Sequence, residues 1–487
     1  MDDRVNEVLK NLEEKPAYQY VTLAAIVLLS AMLRFYKLGE WSMWIDEIYT
    51  INRAQIHFSD PVRLLQNLPS TLWLPLSFIF TNISLQAFGV SEWSARLAPA
   101  LLGILSIPIL YIPIRKMLGV GTALVFALLL ALAPWHLLWS QNARFYSSLM
   151  LLYGVAAFIF FLAIEQDRPQ YFIPFYAIFY FALSERLVAG FLLPGIFMYL
   201  ICIRIFRFGR PRGLTSRNLI LFFIPILLII AFEVIRFLFS GSSTFTFFVS
   251  DFGNKQVEDP FRLLISVIYN IGFSVFGLGL LAGVYLLLKK DRLGLFALIS
   301  ALLPILILAV LNRFMFTKDR YVLTTLTFWL LLSAVAIWGL VKQNQGLGKL
   351  LALGLLVVLM SDAVGKNVQY YLVNHGGRRD WRAAFQIIND QSQPEDRVVA
   401  WWPEFSPFYL GREIIPTEDV TPASVQASGQ RYWFLIDSET VWGNIALRDF
   451  LETNAQLVNV LYLRLPEDDF NIKIYLYDPA SNSAPVP

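Results

Sequence analysis

Eleven apolar stretches, most of them close to 20 residues long, decide what this chain can fold into. A helix needs about 20 apolar residues to cross a hydrocarbon core of about 30 Å. The stretches fall at 18–36, 97–114, 120–140, 146–164, 171–187, 188–203, 218–238, 263–288, 293–311, 321–341 and 350–370. Only 15% of the residues are charged and 57% are hydrophobic, whereas soluble chains run at about 25% charged. A water-facing surface cannot be built from that balance, but a lipid-facing one can. The expected fold is therefore a polytopic all-α membrane domain over 1–370, followed by a soluble domain over 371–487. Met1 to Tyr20 is polar and mixed in charge, unlike a secretory leader. Net charge is +3 over 487 residues, which argues against a nucleic-acid partner. The partner that composition demands is the lipid bilayer.

One further segment, Thr71 to Val90, is apolar but interrupted by Pro75, Asn82, Ser84 and Gln86. It suits the interface, where amphipathic helices lie, better than the hydrocarbon. With that choice and a cytoplasmic N-terminus, the short inside loops hold most of the arginine and lysine clusters. These are Arg115-Lys116, the run Arg204 to Arg217, Lys289-Lys290-Arg292, Lys342 and Lys349, as the positive-inside rule asks. Eleven spans then place the tail on the extracytoplasmic side. In that tail, Val398–Trp402, Tyr432–Ile436, Leu457–Leu463 and Ile472–Tyr477 read as strands. Helical stretches are expected from Asp380 to Asp390, at 404–411 and at 441–452, which together make a small α/β domain.

The first outer loop, 37–96, contains the sharpest local feature. Leu38-Gly39-Glu40-Trp41-Ser42-Met43-Trp44-Ile45-Asp46-Glu47 places two adjacent carboxylates beside two tryptophans. Tryptophans anchor at the membrane interface, so Asp46 and Glu47 are expected at headgroup level. The spacing alone also allows an ordinary solvated acidic pair. Other outward-facing span ends bring Gln141, Asn142, Arg144, Glu185, Arg186, Lys318, Asp319, Arg320 and Tyr321. Arginine can donate two hydrogen bonds at once to a phosphate, and charge at membrane depth is costly enough to mark function. Arginines that snorkel to the interface are the alternative. Glu233 lies inside a span, with Arg236 one turn away as its expected partner.

These stretches resemble the polytopic GT-C glycosyltransferases, most closely the bacterial relatives of protein O-mannosyltransferases and lipid A aminoarabinose transferases. The resemblance runs through Arg34 to Thr50, Phe88 to Leu97 (with Arg96), Ser140 to Tyr146, Arg320-Tyr321 and Trp381 to Ala384. It implies a bacterial inner-membrane enzyme that takes a sugar from a polyprenyl-phosphate donor. The acceptor would be a hydroxyl of a lipid, glycan or protein outside the cytoplasm. Asp46 would be the base in an inverting displacement, with Glu47 orienting it or binding the sugar. Arg320, Lys318 and Arg144 would hold the donor phosphate. Tyr321, Gln141, Asn142, Glu185, Arg186 and Arg96 would line the substrates. An Asp-Glu pair can hold one divalent metal ion, although its other ligands are not evident. The chain departs from its relatives in three places. Pro69 is followed by Ser70 and Thr71 rather than two prolines, Asn142 stands where an acid is usual, and Glu185-Arg186 stand where a histidine is common.

The competing class is a transporter or flippase of lipid-linked sugars. No repeated half and no matched pair of broken helices is expected from the sequence, and those are the pointers to a transporter. In the tail, His375, Arg378, Arg379 and Asp380 could meet the acceptor, but a solvated linker fits their polarity better.

Overall fold

A chain in hydrocarbon must pair its backbone groups internally, which leaves the helix as the local solution for each apolar stretch. The computed structural model describes residues 15–55, 62, 75–241, 259–315, 317–343, 346–437, 444–462 and 472–480. Among them, eight helices are long and apolar enough to cross a membrane. They are Pro16–Phe35, Glu92–Leu118, Tyr146–Glu165, Leu187–Ile205, Ser216–Phe239, Arg292–Leu311, Asp319–Lys342 and Gly346–Leu372. Two bent pairs raise the number to ten if each pair is one span. The remaining expected span, 171–187, is the helix Phe172–Glu185, only 14 residues long. The described part of Thr71–Val90 is a 13-residue helix, Leu76–Phe88. Pro69, Ser70 and Thr71 lie outside the described residues.

The bent pairs correct one expectation. Two helices are broken where the sequence is expected to run through. Val120–Leu132 turns into Pro134–Ser140 with a 59° bend, and Pro260–Ile271 turns into Phe273–Leu288 with a 92° bend. The first break follows from Pro134, which pushes the residue before it out of helical geometry; Ala133 sits at φ −56°, ψ 115°. The second is carried by Gly272 at φ 98°, a conformation that a side chain would oppose.

The chain divides into two compact units: Met1–Tyr36, Ile56–Ala87 and Arg96–Lys366 in one, and Lys37–Gln55, Phe88–Ala95 and Asn367–Pro487 in the other. The regular elements among the first unit's described residues are all helices. Its interior is aromatic, with Phe160 against Phe222 and Phe161 against Phe296 at ring separations of 4.9 and 5.2 Å. Arg292 closes one end on Glu165 through a two-pronged contact at 2.7 and 2.8 Å.

The second unit is built on a five-stranded sheet in the order β2-β1-β3-β5-β4. Its strands are β1 Arg397–Ala400, β2 Ile414–Pro416, β3 Tyr432–Ile436, β4 Gln456–Leu461 and β5 Ile472–Tyr477. β1 runs parallel to β2 and β3, while β5 runs antiparallel to β3 and β4. Val399, Phe434 and Tyr475 sit in register across the three inner strands and are buried with Leu447 and Leu451 of the helix Ile445–Asn454. The helix Trp381–Gln391 starts where Asp380 accepts the Ala383 amide at 3.1 Å, a side-chain cap. β2 and the helix Pro422–Ser428 are additions to the sequence expectation. The stretch 404–411 forms short 3₁₀ and π turns instead of an α-helix.

The early segment Lys37–Gln55 is bound into this unit by its polar atoms. Ser42 Oγ donates to the Arg379 carbonyl at 2.7 Å and accepts from the Trp381 amide at 3.1 Å. The Met43 amide donates to the Tyr409 hydroxyl at 2.7 Å. Gly376, at φ 64°, lies so close to Trp41 that an added Cβ would fall 2.4 Å from the indole.

Candidate active site

Asp46 and Glu47 open the helix Ile45–Ala54, where carboxylates complement the positive end of the helix dipole. Successive helical residues lie about 100° apart, so the pair separates. Glu47 points inward and is fully buried. Its carboxylate accepts from the Trp44 amide at 3.4 Å and lies 3.6 Å from the Arg378 guanidinium. Asp46 is on the half-buried side of the same turn. One turn on, the Tyr49 hydroxyl donates to Glu404 at 3.0 Å. Burial and that carboxylate push the Tyr49 hydroxyl up to about 12. Arg378 and Arg379 are both buried, and Arg379 pairs with Asp437. His375 packs edge-on against Trp41 at 5.0 Å. The solvated-linker reading of 375–380 is therefore overturned. These side chains hold the early acidic segment to the sheet unit.

In the helical unit, several expected substrate contacts are occupied structurally. Gln141 donates to the carbonyls of Arg34 at 3.0 Å and Tyr36 at 2.7 Å, which closes the end of Pro16–Phe35 as a capping group does. Glu185 is fully buried and receives the Ser77 amide at 2.9 Å and hydroxyl at 2.5 Å. It thereby caps the start of Leu76–Phe88, accepting one of the helix's unpaired amides. Arg96 is fully buried and Asn142 nearly so. Arg34, also fully buried, donates to Ser30 Oγ at 2.6 Å, the Ala131 carbonyl at 3.1 Å and His136 Nδ1 at 2.8 Å. Because a guanidinium cannot accept, His136 carries its proton on Nε2. Gly103 makes room for this network, since a Cβ there would fall 2.2 Å from Ser140 Oγ.

A different group gathers around one aromatic cluster. Trp139, Phe145 and Tyr146 pack at ring separations of 4.2 and 4.4 Å. Arg144 and Arg186 lie 5.1 and 5.7 Å from the Phe145 ring, Arg186 also 5.8 Å from Tyr321, and Arg320 5.8 Å from Trp139. The structure thus brings Arg144, Arg186, Arg320 and Tyr321 together. Guanidinium over an aromatic face is a favourable arrangement. Lys318 is half-buried at the start of the turn that carries Arg320.

That turn is held by Asp319, the acid among the polar residues at this span end. Asp319 Oδ2 accepts from Ser266 Oγ at 2.6 Å and Asn270 Nδ2 at 2.5 Å, while Oδ1 accepts the Arg320 amide at 2.6 Å. Ser266 and Asn270 lie four residues apart on the first half of the second broken helix, a spacing that puts them on one face. The last span clamps the break itself. Lys366 donates to the Tyr269 carbonyl at 2.7 Å, and Asp362 accepts from Ser274 at 2.9 Å. Each half of the broken helix is therefore tied to the same helix.

The geometry has counterparts in known proteins. Residues 71–239 match the family model of the dolichyl-phosphate-mannose-protein mannosyltransferases. ArnT of Cupriavidus metallidurans in the apo state aligns over 95% of this chain and 99% of its own, with a TM-score of 0.56 and 15% identity. The fold is ArnT-like. The structure of the same ArnT bound to undecaprenyl phosphate gives a TM-score of 0.55 at 14% identity, with the same coverage of both chains. AglB, the archaeal oligosaccharyltransferase of Archaeoglobus fulgidus, in complex with an inhibitory peptide and a dolichol-phosphate, gives 0.56 at 12% identity. It covers 97% of this chain and 75% of AglB. YycA of Bacillus subtilis (strain 168), a candidate mannosyltransferase, is 27% identical over 139 residues, and the chain spans only 19% of its length. The GT-C resemblance read from sequence is borne out at the level of fold, and the chain is an integral membrane protein.

The residues present do not form an evident metal site. Among the described residues no three His, Cys, Asp or Glu side chains converge. Glu47 is committed to Arg378, so the Asp46-Glu47 pair offers a single carboxylate.

Proposed function

We propose that this protein is a GT-C glycosyltransferase. It takes a sugar from a polyprenyl-phosphate donor and transfers it to an acceptor hydroxyl on the extracytoplasmic face. The observation that carries the proposal is the Arg144–Arg186–Arg320 cluster over Phe145, Tyr321 and Trp139, in a fold whose solved relative binds undecaprenyl phosphate. Cations fixed on aromatic faces are pre-positioned for a phosphate whose charge grows as the glycosidic bond breaks, which favours the transition state over the ground state. Arg320, with Lys318 and Arg144, binds the donor phosphate, and Arg186 and Tyr321 complete the cluster.

Asp46 is the base that accepts the acceptor's proton. Attack opposite the departing phosphate makes the transfer a single inverting displacement. Glu47 has a positioning role: its buried contact with Arg378 fixes the helix turn that presents Asp46. Gln141, Asn142, Glu185 and Arg96 support the fold around the site. The extracytoplasmic side for both the acidic segment and the sheet unit is supported by the arginine and lysine distribution, with Phe172–Glu185 counted as the eleventh crossing.

The two broken helices favour a second reading, transport of a lipid-linked sugar, because discontinuous helices commonly host transported substrates. Purified protein in liposomes with a fluorescent polyprenyl-phosphate sugar separates the two. Transfer predicts a new acceptor–sugar bond in mass spectra. Movement of the donor between leaflets with no product would support the transporter and remove the transferase.

A further inference from the structure

One cavity is lined by none of these residues. It is an apolar cavity of about 510 Å³ between the helices Leu192–Ile205, Phe273–Leu288 and Arg292–Leu311. Its walls include Cys202, Leu288, Leu295, Leu302 and Leu306, and its single charged lining residue is Lys290. Leu288 and Leu306 are largely exposed, so the cavity opens sideways toward lipid. From Leu295 to Leu306 is eleven residues, about 16 Å at 1.5 Å per residue, or roughly half the ~30 Å hydrocarbon core. The groove is therefore one leaflet deep. That length suits a fatty acyl chain and is short for a polyprenyl tail.

The mouth of the groove is cationic. Lys290 donates to the Phe206 carbonyl at 2.8 Å and lies 5.3 Å from the Phe208 ring. An ammonium has three donors, so this fixed lysine can still bind an anion. Arg204, Arg207 and Lys289 beside it are exposed. The neighbouring acids are committed elsewhere: Glu165 holds Arg292, and Asp291 caps the Gly294 amide at 2.6 Å. Basic pockets between membrane helices bind anionic lipid head groups.

We propose that this groove is a binding site for an anionic glycerophospholipid, with an acyl chain along Leu295–Leu306 and the phosphate at Lys290. The site is separate from the proposed transfer chemistry and stands without it.

The test is native mass spectrometry of the full chain titrated with dioleoyl phosphatidylglycerol, dioleoyl phosphatidylcholine and undecaprenyl phosphate. Phosphatidylglycerol should occupy the protein at least about fivefold more than phosphatidylcholine at equal concentration. The double variant K289E/K290E should abolish that preference. Leu302→Trp, which fills the groove without changing charge, should lower phosphatidylglycerol occupancy by a similar factor, and Ile299→Trp repeats the test at a second position. Equal occupancy by the two phospholipids overturns the proposal. Sensitivity to charge with none to either tryptophan shows adsorption to basic loops and overturns it as well. Displacement by equimolar undecaprenyl phosphate would make the occupant a polyprenyl phosphate and also contradict it.

Discussion

Glu47 and Arg378, from opposite ends of the chain, meet at 3.6 Å with both side chains buried. A buried charge pair repays its desolvation only while both partners are present. Glu47→Gln or Arg378→Met should therefore cost about 3–5 kcal/mol of stability and lower the melting temperature in detergent. The apolar double variant Glu47→Leu/Arg378→Met should recover most of the loss. Failure to recover would mean that Arg378 contributes through contacts other than Glu47.

The same junction gives a pH dependence. Burial against Trp41, with the Arg378 and Arg382 charges, outweighs Asp380 and Glu40 and holds the His375 imidazole below its usual range. The folded state thus prefers neutral His375. Its contribution is fully present above the unfolded value of about 6.5 and is lost as pH falls through the lower folded value. The melting temperature of the wild type should drop on acidification below about pH 6.5, and His375→Phe should flatten that part of the profile. A His375→Phe profile superimposable on the wild type would contradict this.

Arg320 is the donor-phosphate residue whose support is most explicit. Reversing its own charge with Arg320→Glu should abolish undecaprenyl phosphate binding. Loosening its turn with Asp319→Asn or Asn270→Ala should weaken binding by about five- to thirtyfold, the effect of losing one or two kcal/mol. Lys366→Met should act in the same direction through Tyr269, and more weakly. Donor affinity by titration, set beside melting temperature, separates positioning from collapse. Equal affinities in Arg320→Glu and wild type would remove the phosphate role.

Membrane sidedness is testable by itself. A reporter fused after Tyr371 should read extracytoplasmic, and one placed in the 204–217 loop should read cytoplasmic. A cytoplasmic signal at Tyr371 would put the sheet unit and its acidic segment on the wrong side for the proposed chemistry.

Most of the helices were legible because each carries its own apolar stretch, and the cap at Asp380 was legible because capping is local. The breaks were harder to see. Pro134 was a visible signal, but Gly272 matters only because its backbone turns to positive φ. Gln141 and Glu185 were polar residues at span ends, and Arg378 a polar residue of the tail that read as linker; none of the three showed a structural role in sequence. What reveals that role is a partner far along the chain: Tyr36, Ser77 and Glu47, respectively. Membership of Lys37–Gln55 in the sheet unit was invisible for the same reason. Asp319 was legible as a charged residue at a span end, but its role was not, because its partners Ser266 and Asn270 lie on another helix.

The most direct test of the central claim is single-turnover transfer by Asp46→Asn, with a polyprenyl-phosphate sugar donor that supports wild-type turnover. The substitution keeps shape and removes only the base, whose loss typically costs about 10²–10⁴ in rate. The account predicts a rate lowered by at least about 10², with undecaprenyl phosphate affinity and melting temperature both unchanged. A wild-type rate in Asp46→Asn would contradict it.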